Sequence, residues 1–249
     1  CISESSDLVH WSTPRIVQHA SETTEYDQCD NENTFIVGSH VMARMSRFYV
    51  KKVEDAHDQK HLAWWTFGPD PYHMNFLDSD EPIPDCLTHD GSSVACHSML
   101  VGYPINANDK TYLIINAPVK GEGKEKPLGA STLAEFRENG FVARVSDEYG
   151  GWLLTREFIM RGREIEVNCE INEGGCITAE ILYGAGGNVR GGQFIDGYRL
   201  ENCAPIAESN IHAKLCFNGS ADLSKFENQA VYIRFHVVNA KLYAFRVNK

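Results

Sequence analysis

The stretch Ala230-Val-Tyr-Ile-Arg-Phe-His-Val-Val238 decides the fold class, because apolar and polar residues alternate along it. A period of two in a run rich in β-branched and aromatic residues predicts a strand with one buried face. Runs of similar composition occur at residues 111–115, 164–168 and 177–182. Helical spacing is scarce, and residues 131–139 are the best helix candidate. The sequence therefore predicts an all-β chain.

The composition excludes several classes of function. The chain has 249 residues, of which 23 are Lys or Arg and 34 are Asp or Glu, so its formal net charge is −11. Nucleic acids and anionic membranes need a positive protein face, so neither is an expected partner. The apolar runs are short and interrupted by charge, so we expect no membrane insertion.

The cysteines and one sequon point to an oxidising compartment. Eight cysteines are scattered along the chain without a C-x-x-C pair, which disfavours zinc ribbons and thioredoxin-type sites. An even number of scattered cysteines is typical of disulfides in secreted proteins. Asn218-Gly219-Ser220 is an N-glycosylation sequon. These features predict a secreted protein, and the alternative is a set of reduced, buried cysteines.

A weak internal repeat marks the first 150 residues. A polar turn around Asp7 has a counterpart around Asp70, and a third turn places Arg137 at the equivalent position. A unit of this length with four strands matches the blade of a β-propeller. We therefore expect blades at residues 12–76 and 77–145, preceded by a remnant. Two blades cannot close a ring, so we expect an upstream segment or another chain to supply the others.

The residues after the blades predict a second domain. The sequence places a boundary at Tyr149-Gly150-Gly151, which gives a partial propeller at residues 1–149 and a two-sheet β-sandwich at 150–249. The pattern includes a hairpin around Asn172-Glu-Gly-Gly175. Local pairing would join the cysteines as follows: Cys169 with Cys176, Cys203 with Cys216, Cys1 with Cys29, and Cys86 with Cys96. Eight cysteines allow 105 connectivities, so the sequence leaves the pairing open.

Two groups of motifs resemble a known family. The turn Ser6-Asp-Leu-Val-His-Trp-Ser-Thr-Pro14 is similar to a turn of secreted five-bladed β-propeller glycosidases related to glycoside hydrolase families 32 and 43. The C-terminal region resembles the β-sandwich appended to such propellers. The segments that carry this second likeness are residues 154–156, 165–168, 175–182, 200–206, 219–224, 233–235 and 240–245.

The resemblance implies a carbohydrate-active enzyme of which this chain is the C-terminal part. Glycosidases of this kind use two carboxylates, one as nucleophile or base and one as general acid. The resemblance implies that the first of these lies in a blade upstream of Cys1. It places the general acid just before the strand at residues 35–41, where Glu32 is the best candidate and Asp30 the next. The alternative is a solvated acidic loop.

Further candidates follow from the same resemblance. Asp90 and His97 match a tunnel-lining position, although a packed or hydrogen-bonded histidine is the alternative. Trp64 and Trp65 project to opposite sides of a strand, so that one ring is a candidate for sugar stacking, with two core residues as the alternative. Trp152 and Trp11 are interpreted as structural.

Two functional hypotheses remain open at this stage. The first is a glycoside hydrolase that acts through paired carboxylates. The second is a secreted, non-catalytic protein that uses the same fold for glycan binding or extracellular assembly. The expected partner is a carbohydrate in either case. No metal ligands or cofactor motif are visible, and a structural calcium is implied only by the resemblance.

Overall fold

The computed structural model describes residues 1–17, 28–49, 60–76, 86–87, 93–94, 100–119, 128–184 and 192–249. The chain is 56% strand and 4% helix, so the all-β prediction is confirmed. It divides into two compact units, Cys1–Glu135 and Phe136–Lys249. Among the residues described, no helix has the length and apolar character needed to cross a membrane.

Small antiparallel sheets make up the first unit. Its described strands are β1 (Gln28–Val37), β2 (His40–Tyr49), β3 (Lys60–Gly68), β4 (Asn75–Phe76), β5 (Cys86–Leu87), β6 (Ser93–Val94), β7 (Leu100–Ala107), β8 (Lys110–Val119) and β9 (Leu128–Arg137). Strands β1 to β4 form a sheet in sequential order, as do β7 to β9, and β5 pairs with β6. Within each of these sheets, every strand therefore pairs with its neighbour in sequence.

The sheet of β1 to β4 is buried on both faces at β3. Four consecutive residues of β3, Ala63 to Thr66, are buried. Successive side chains of a strand point to opposite faces, so both faces at this position are covered. Phe35 on β1 and Met42 on β2 are buried as well. The centre of this sheet is therefore covered on both faces, whereas Ile36 on β1 is exposed.

The helix expected at residues 131–139 is wrong, because β9 occupies most of this segment. β9 is the third strand of the sheet that contains β7 and β8. The helical spacing there was short, and helix propensity is a weak preference that tertiary context overrides. Pairing with the edge of β8 gives the β9 backbone its hydrogen-bond partners, which a short isolated helix would provide only in part.

A seven-stranded sheet forms the second unit. Its described strands are β10 (Arg144–Ser146), β11 (Gly151–Leu154), β12 (Phe158–Ile159), β13 (Glu164–Tyr183), β14 (Gln193–Phe194), β15 (Asn210–Lys214) and β16 (Ala230–Asn248), and two 3₁₀ turns cover Leu200–Asn202 and Ser224–Phe226. The long strands β13 and β16 pair along most of their length. The shorter strands flank them: β10, β11 and β12 pair with β16, and β14 and β15 pair with β13.

Strand β10 lies before the boundary expected from the sequence. Arg144 is opposite Leu242 and Ser146 is opposite Ala240, so β10 adds an edge to the C-terminal sheet. The second unit begins at Phe136, whereas the sequence places the boundary at the glycines after Tyr149.

The alternation that opened the sequence analysis is present in β16. Val231, Ile233, Phe235 and Val237 are buried in the core of the second unit, and the residues between them are half-buried. A register shift follows at Asn239, whose φ is +43°. A one-residue shift moves the buried set from odd to even positions, so the buried residues beyond it are Ala240 and Leu242.

The hairpin expected around residues 172–175 is wrong, because β13 continues through this segment as an enlarged bulge. Ile171 lies opposite Ala240 and Cys176 lies opposite Val238, so four residues of β13 face one of β16. Gly174 has a φ of +73°, and a Cβ on Gly175 would lie 2.3 Å from the Asn239 carbonyl oxygen. Glycine pairs mark bulges as well as hairpin turns.

Candidate functional site

The two candidates for the general acid lie on β1. Asp30 is opposite Ser46 on β2. The pairing register shifts between Asn31 and Asn33, so that Glu32 is the extra residue of a β-bulge. Bulges are over-represented beside active sites, where they re-aim a side chain and interrupt pairing. The β1 backbone therefore has an irregular pairing at Glu32, the position that the sequence singles out.

Trp64 and Trp65 are core residues, which corrects the expected role in substrate binding. Their side chains are 6% and 7% exposed, respectively. The Trp65 ring meets the Phe35 ring edge to face, with centroids 6.0 Å apart and planes at 82°. Sugar stacking requires a ring face open to solvent, which neither tryptophan offers. The alternative left open by the sequence, two rings that fill the space on either side of β3, is the one observed.

Asp90 and His97, the predicted tunnel residues, lie outside the described residues. Cys96 does as well, so its pairing with Cys86 stays a prediction. The backbone of Cys86 is described and lies opposite Val94 in the two-stranded sheet.

The first polar turn is closed by an Asp–His pair. The Asp7 carboxylate accepts a hydrogen bond from the backbone N–H of His10 at 2.8 Å, and its other oxygen lies 2.7 Å from His10 Nδ1. The N–H of Val9 donates to the same carboxylate at 2.9 Å. These hydrogen bonds, led by that from the His10 side chain, hold the pKa of Asp7 well below its usual range. The carboxylate is therefore ionised and fixes the turn.

The second polar turn repeats this geometry. Asp70 accepts a hydrogen bond from the backbone N–H of Tyr72 at 2.8 Å, and its carboxylate lies 2.8 Å from His73 Nδ1. The hydrogen bond from the His73 side chain lowers the pKa of Asp70. Both turns have the form Asp-x-x-His. The imidazoles are largely exposed, so we assign these pairs to turn formation and not to catalysis.

The two Asp–His turns are connected through Tyr72. A hydrogen bond to the Glu4 carboxylate raises the pKa of Tyr72, and the Arg15 guanidinium carbon lies 5.3 Å from the centroid of its ring. Arg15 also forms an isolated antiparallel bridge with Ile2. The segment that carries the first turn therefore lies against the second turn within the same unit.

The third turn of the expected repeat makes different contacts. Arg137 replaces the aspartate, and its guanidinium donates hydrogen bonds to the Asn168 side-chain oxygen and, at 2.7 Å, to the Cys169 carbonyl. It also lies over the Tyr243 ring, 5.5 Å from the centroid. The Asn168 amide in turn donates to the Glu138 carbonyl at 2.6 Å. This turn is therefore tied to the C-terminal sheet by hydrogen bonds to β13.

The expected disulfide between Cys169 and Cys176 is absent, and both thiols are free. The two residues lie on the same strand, opposite Leu242 and Val238 of β16. These two partners are four residues apart on β16, which corresponds to about 13 Å along the strand, whereas a disulfide needs Cα atoms within about 7 Å. The pairing assumed a hairpin, and the bulge in β13 removes the basis for it.

The expected pairs Cys203–Cys216 and Cys1–Cys29 are not formed either, because Cys1, Cys203 and Cys216 are free. Cys203 bridges to Phe217, and Cys216, the neighbour of Phe217, therefore projects to the other side of the backbone. Burial raises the pKa of the Cys203 thiol to about 11. A thiol that stays protonated is a poor nucleophile, so Cys203 acts as a small core residue.

Asn218, the sequon residue, is exposed at the tip of a tight turn. Asn218 and Gly219 have φ values of +51° and +80°, a combination typical of the two-residue Asn-Gly turn. The side-chain amide of Asn218 donates to the Gly197 carbonyl at 2.9 Å and accepts from the Asn202 side chain at 3.2 Å. The amide nitrogen that would carry a glycan therefore also ties together two loops of the unit.

A group of two exposed aromatic side chains and two half-buried polar side chains lies on the C-terminal sheet, and the sequence did not single it out. We call it the aromatic platform: Trp152 on β11, Phe194 on β14, and Arg234 and His236 on β16. The Arg234 guanidinium carbon lies 4.7 Å from the Trp152 ring centroid and 5.0 Å from that of Phe194. The Trp152 and His236 ring centroids are 4.5 Å apart.

Comparison with known proteins identifies no family. No protein-family model matches the sequence, and a search of curated proteins finds no match.

Trp152, which the sequence interprets as structural, has a side chain that is 55% exposed. The alternation of β16 is the sequence signal that could have indicated the aromatic platform, since Arg234 and His236 occupy the face opposite to the core residues.

Proposed function

We propose that this chain is the C-terminal portion of a glycosidase-like, carbohydrate-active protein, with propeller blades followed by a β-sandwich. Strands β1 to β4 support the blade assignment, since they pair in sequential order. Sequential four-stranded antiparallel sheets are the building blocks of propellers. Burial of both faces of β3 is what a blade packed between neighbours requires.

The Asp–His turns also support this proposal. Asp7 and Asp70 make the same contacts to a histidine three residues later, and Tyr72 brings the two turns together. Equivalent turns in adjacent positions are expected when equivalent units are packed side by side.

The C-terminal sheet supports the sandwich. Strands β13 and β16 pair on both sides of the bulge at residues 172–175. Ile165 and Val167, before the bulge, belong to the same core cluster as Ile177 and Ile181 after it. A sheet whose two halves share one core has the layer arrangement that defines a sandwich.

Glu32 is our candidate for the general acid, and its position in the β1 bulge is the observation that carries the assignment. Glycoside cleavage needs one carboxyl group to protonate the leaving oxygen and a second to attack or to activate water. We assign the second group to a blade that this chain does not include. Asp30, two residues before Glu32, is the next candidate.

The first prediction concerns hydrolysis. Intact protein is assayed against a panel of unactivated oligosaccharides and of nitrophenyl glycosides. Removal of a general acid lowers the rate by about 10²–10⁴-fold where the leaving oxygen needs a proton, so Glu32→Gln should reduce kcat on the oligosaccharides by that factor and should affect the nitrophenyl glycosides less. Glu25→Gln, in the same acidic segment, is the matched control and should leave the rate unchanged.

Two results would contradict this assignment. Equal activity of Glu32→Gln and unsubstituted protein would remove Glu32, and a loss confined to Asp30→Asn would transfer the role to Asp30. If unsubstituted protein hydrolyses none of the glycosides, catalysis itself is contradicted. Circular dichroism of each variant separates a lost carboxyl group from a lost fold.

A non-catalytic, glycan-binding protein is the second candidate function. The aromatic platform favours it, because exposed rings next to hydrogen-bonding side chains bind ligands without needing paired carboxylates. We keep an extracellular location, expected from the cysteine count and the sequon, as part of both proposals. Binding of polysaccharides without hydrolysis would identify this second function.

A further inference from the structure

The aromatic platform lies on the outer face of the C-terminal sheet. Trp152 is opposite His236, and Leu154 is opposite Arg234. On the other side of β16, Arg234 is opposite Glu180 of β13. The inward face of these strands carries the core, including Ile181 and Phe235. Because side chains alternate between the faces of a sheet, the platform residues share the side that faces away from the core.

Three large apolar side chains on this face are exposed. Trp152 is 55% exposed and Phe194 is 49% exposed. Leu154, two residues from Trp152, is exposed as well. Single exposed apolar residues are normal on a protein surface, but contiguous groups of them mark binding sites.

Arg234 holds the two rings in place. Its Nε donates to Glu180 Oε1 at 2.6 Å, and a second guanidinium nitrogen forms an ion pair with the same carboxylate. Glu180 is 3% exposed and lies on the central strand β13. A guanidinium fixed by a buried carboxylate gives both rings a rigid support, so that a ligand would meet a surface that is already ordered.

The charges around the platform are balanced. Glu180 pairs with Arg234. Arg199, which lies 5.1 Å from the Phe194 centroid, has Asp196 at 3.8 Å. Phosphate groups and nucleic acids bind to unpaired positive charge, and the described residues around the platform offer none, since Arg234 and Arg199 each have an acidic partner. Its chemistry suits a neutral ligand with an apolar face and with hydroxyl groups that reach the surrounding side chains.

We infer that the aromatic platform is a carbohydrate-binding site, separate from the position of Glu32. The apolar C–H face of a sugar ring would stack on Trp152 and Phe194, and its hydroxyl groups would hydrogen-bond to Arg199, Asp196 and His236. The ligand class rests on the proposed function, whereas the location rests on the geometry of the C-terminal unit alone.

The second prediction tests this site by affinity electrophoresis of the full chain through gels that contain laminarin, xylan, galactomannan or levan. At least one polysaccharide should retard the unsubstituted protein. Trp152→Ala and Phe194→Ala should each weaken the retardation by about tenfold, the effect of losing one stacked ring. Trp152→Phe, which keeps a ring, should lose less.

Two controls separate this site from the proposed catalytic function. Trp11→Ala removes an exposed tryptophan of the first unit and should leave the retardation unchanged. Glu32→Gln should retain binding, and Trp152→Ala should retain any hydrolysis of small nitrophenyl glycosides. A failure of the binding site is therefore distinguishable from a failure of the catalytic assignment.

Three outcomes would overturn the inference. The first is the absence of retardation by all four polysaccharides. The second is retardation that Trp152→Ala and Phe194→Ala leave intact. The third is a platform that joins two copies of the chain, so that Trp152→Ala changes the sedimentation coefficient and not the binding of polysaccharide.

Discussion

The two main sheets of this protein differ in which faces are buried. The sheet of β1 to β4 has buried side chains on both faces of β3, including both adjacent tryptophans. The sheet built on β13 and β16 buries one face in a core and presents charged and aromatic side chains on the other. A strand buried on both faces can place functional groups only at bulges and at its ends, whereas the second sheet leaves part of one face open for binding.

The largest expected effect contrasts a buried with an exposed tryptophan. Trp65→Ala removes a ring that packs edge to face on Phe35 and should cost about 3–5 kcal/mol of unfolding free energy, as large-to-small core substitutions do. Trp152→Ala removes a half-exposed ring and should cost about 1 kcal/mol, the worth of its contact with Arg234. Native-state hydrogen exchange measures the protection of the backbone amides in each sheet separately.

Equal losses of unfolding free energy in these two variants would contradict the difference between the two sheets. If Trp152→Ala lowered the protection of β13 and β16 amides as strongly as Trp65→Ala lowers that of β2 and β3, the platform would be a core element and not a binding surface.

A smaller effect is expected from the ion pair beneath the platform. Arg234→Ala leaves the carboxylate of Glu180, which is 3% exposed, without its main partner. Breaking a fully buried pair costs about 3–5 kcal/mol. Because Arg234 is partly exposed, we expect about 1–3 kcal/mol in a urea titration.

The matched control is the exposed pair between Arg163 and Glu227, whose atoms lie 3.1 Å apart. Exposed pairs contribute about 0–1 kcal/mol, so Arg163→Ala should cost little. If both substitutions cost the same, Glu180 does not act as a buried anchor for Arg234.

The smallest effect concerns pH. The hydrogen bond from Lys241 lowers the pKa of Glu170, and Tyr243 adds a second hydrogen bond at 3.0 Å. Because the folded-state pKa lies below the unfolded value of about 4.3, this stabilisation is fully present above that value. It is lost as the pH falls through the lower, folded-state pKa.

Glu170→Gln should therefore flatten the decline of stability between about pH 5 and pH 3 by about 0.5–1 kcal/mol, the range for partly exposed pairs. Thermal unfolding at several pH values measures this change, and Lys241→Met should give a similar flattening. A pH dependence of stability that is unchanged in both variants would contradict the role of this pair.

Local patterns in the sequence predicted some of these features because they depend on near neighbours. The alternation of β16 and the two Asp-x-x-His turns each involve residues within a few positions of one another. The bulges were not predictable in the same way. Gly174 and Gly175 are compatible with a hairpin turn and with a bulge, and only the pairing of both halves of β13 with β16 decides between them.

The aromatic platform was missed because its parts are distant in sequence. Trp152, Phe194 and Arg234 come together through the register of four strands, and nothing local to any of them indicates a shared surface. Trp64 and Trp65 were conspicuous because they are adjacent, yet adjacency on a strand puts one ring on each face. Which tryptophan is exposed depends on what covers each face, and this is a property of the tertiary structure.

We propose that this protein acts on carbohydrate through two separate positions, Glu32 and the aromatic platform. The most direct test measures polysaccharide retardation and glycoside hydrolysis on the same four proteins: unsubstituted, Glu32→Gln, Trp152→Ala, and the double variant. We predict that Trp152→Ala loses binding alone, that Glu32→Gln loses hydrolysis alone, and that the double variant loses both. Unsubstituted protein that neither binds nor hydrolyses any carbohydrate tested would contradict the claim.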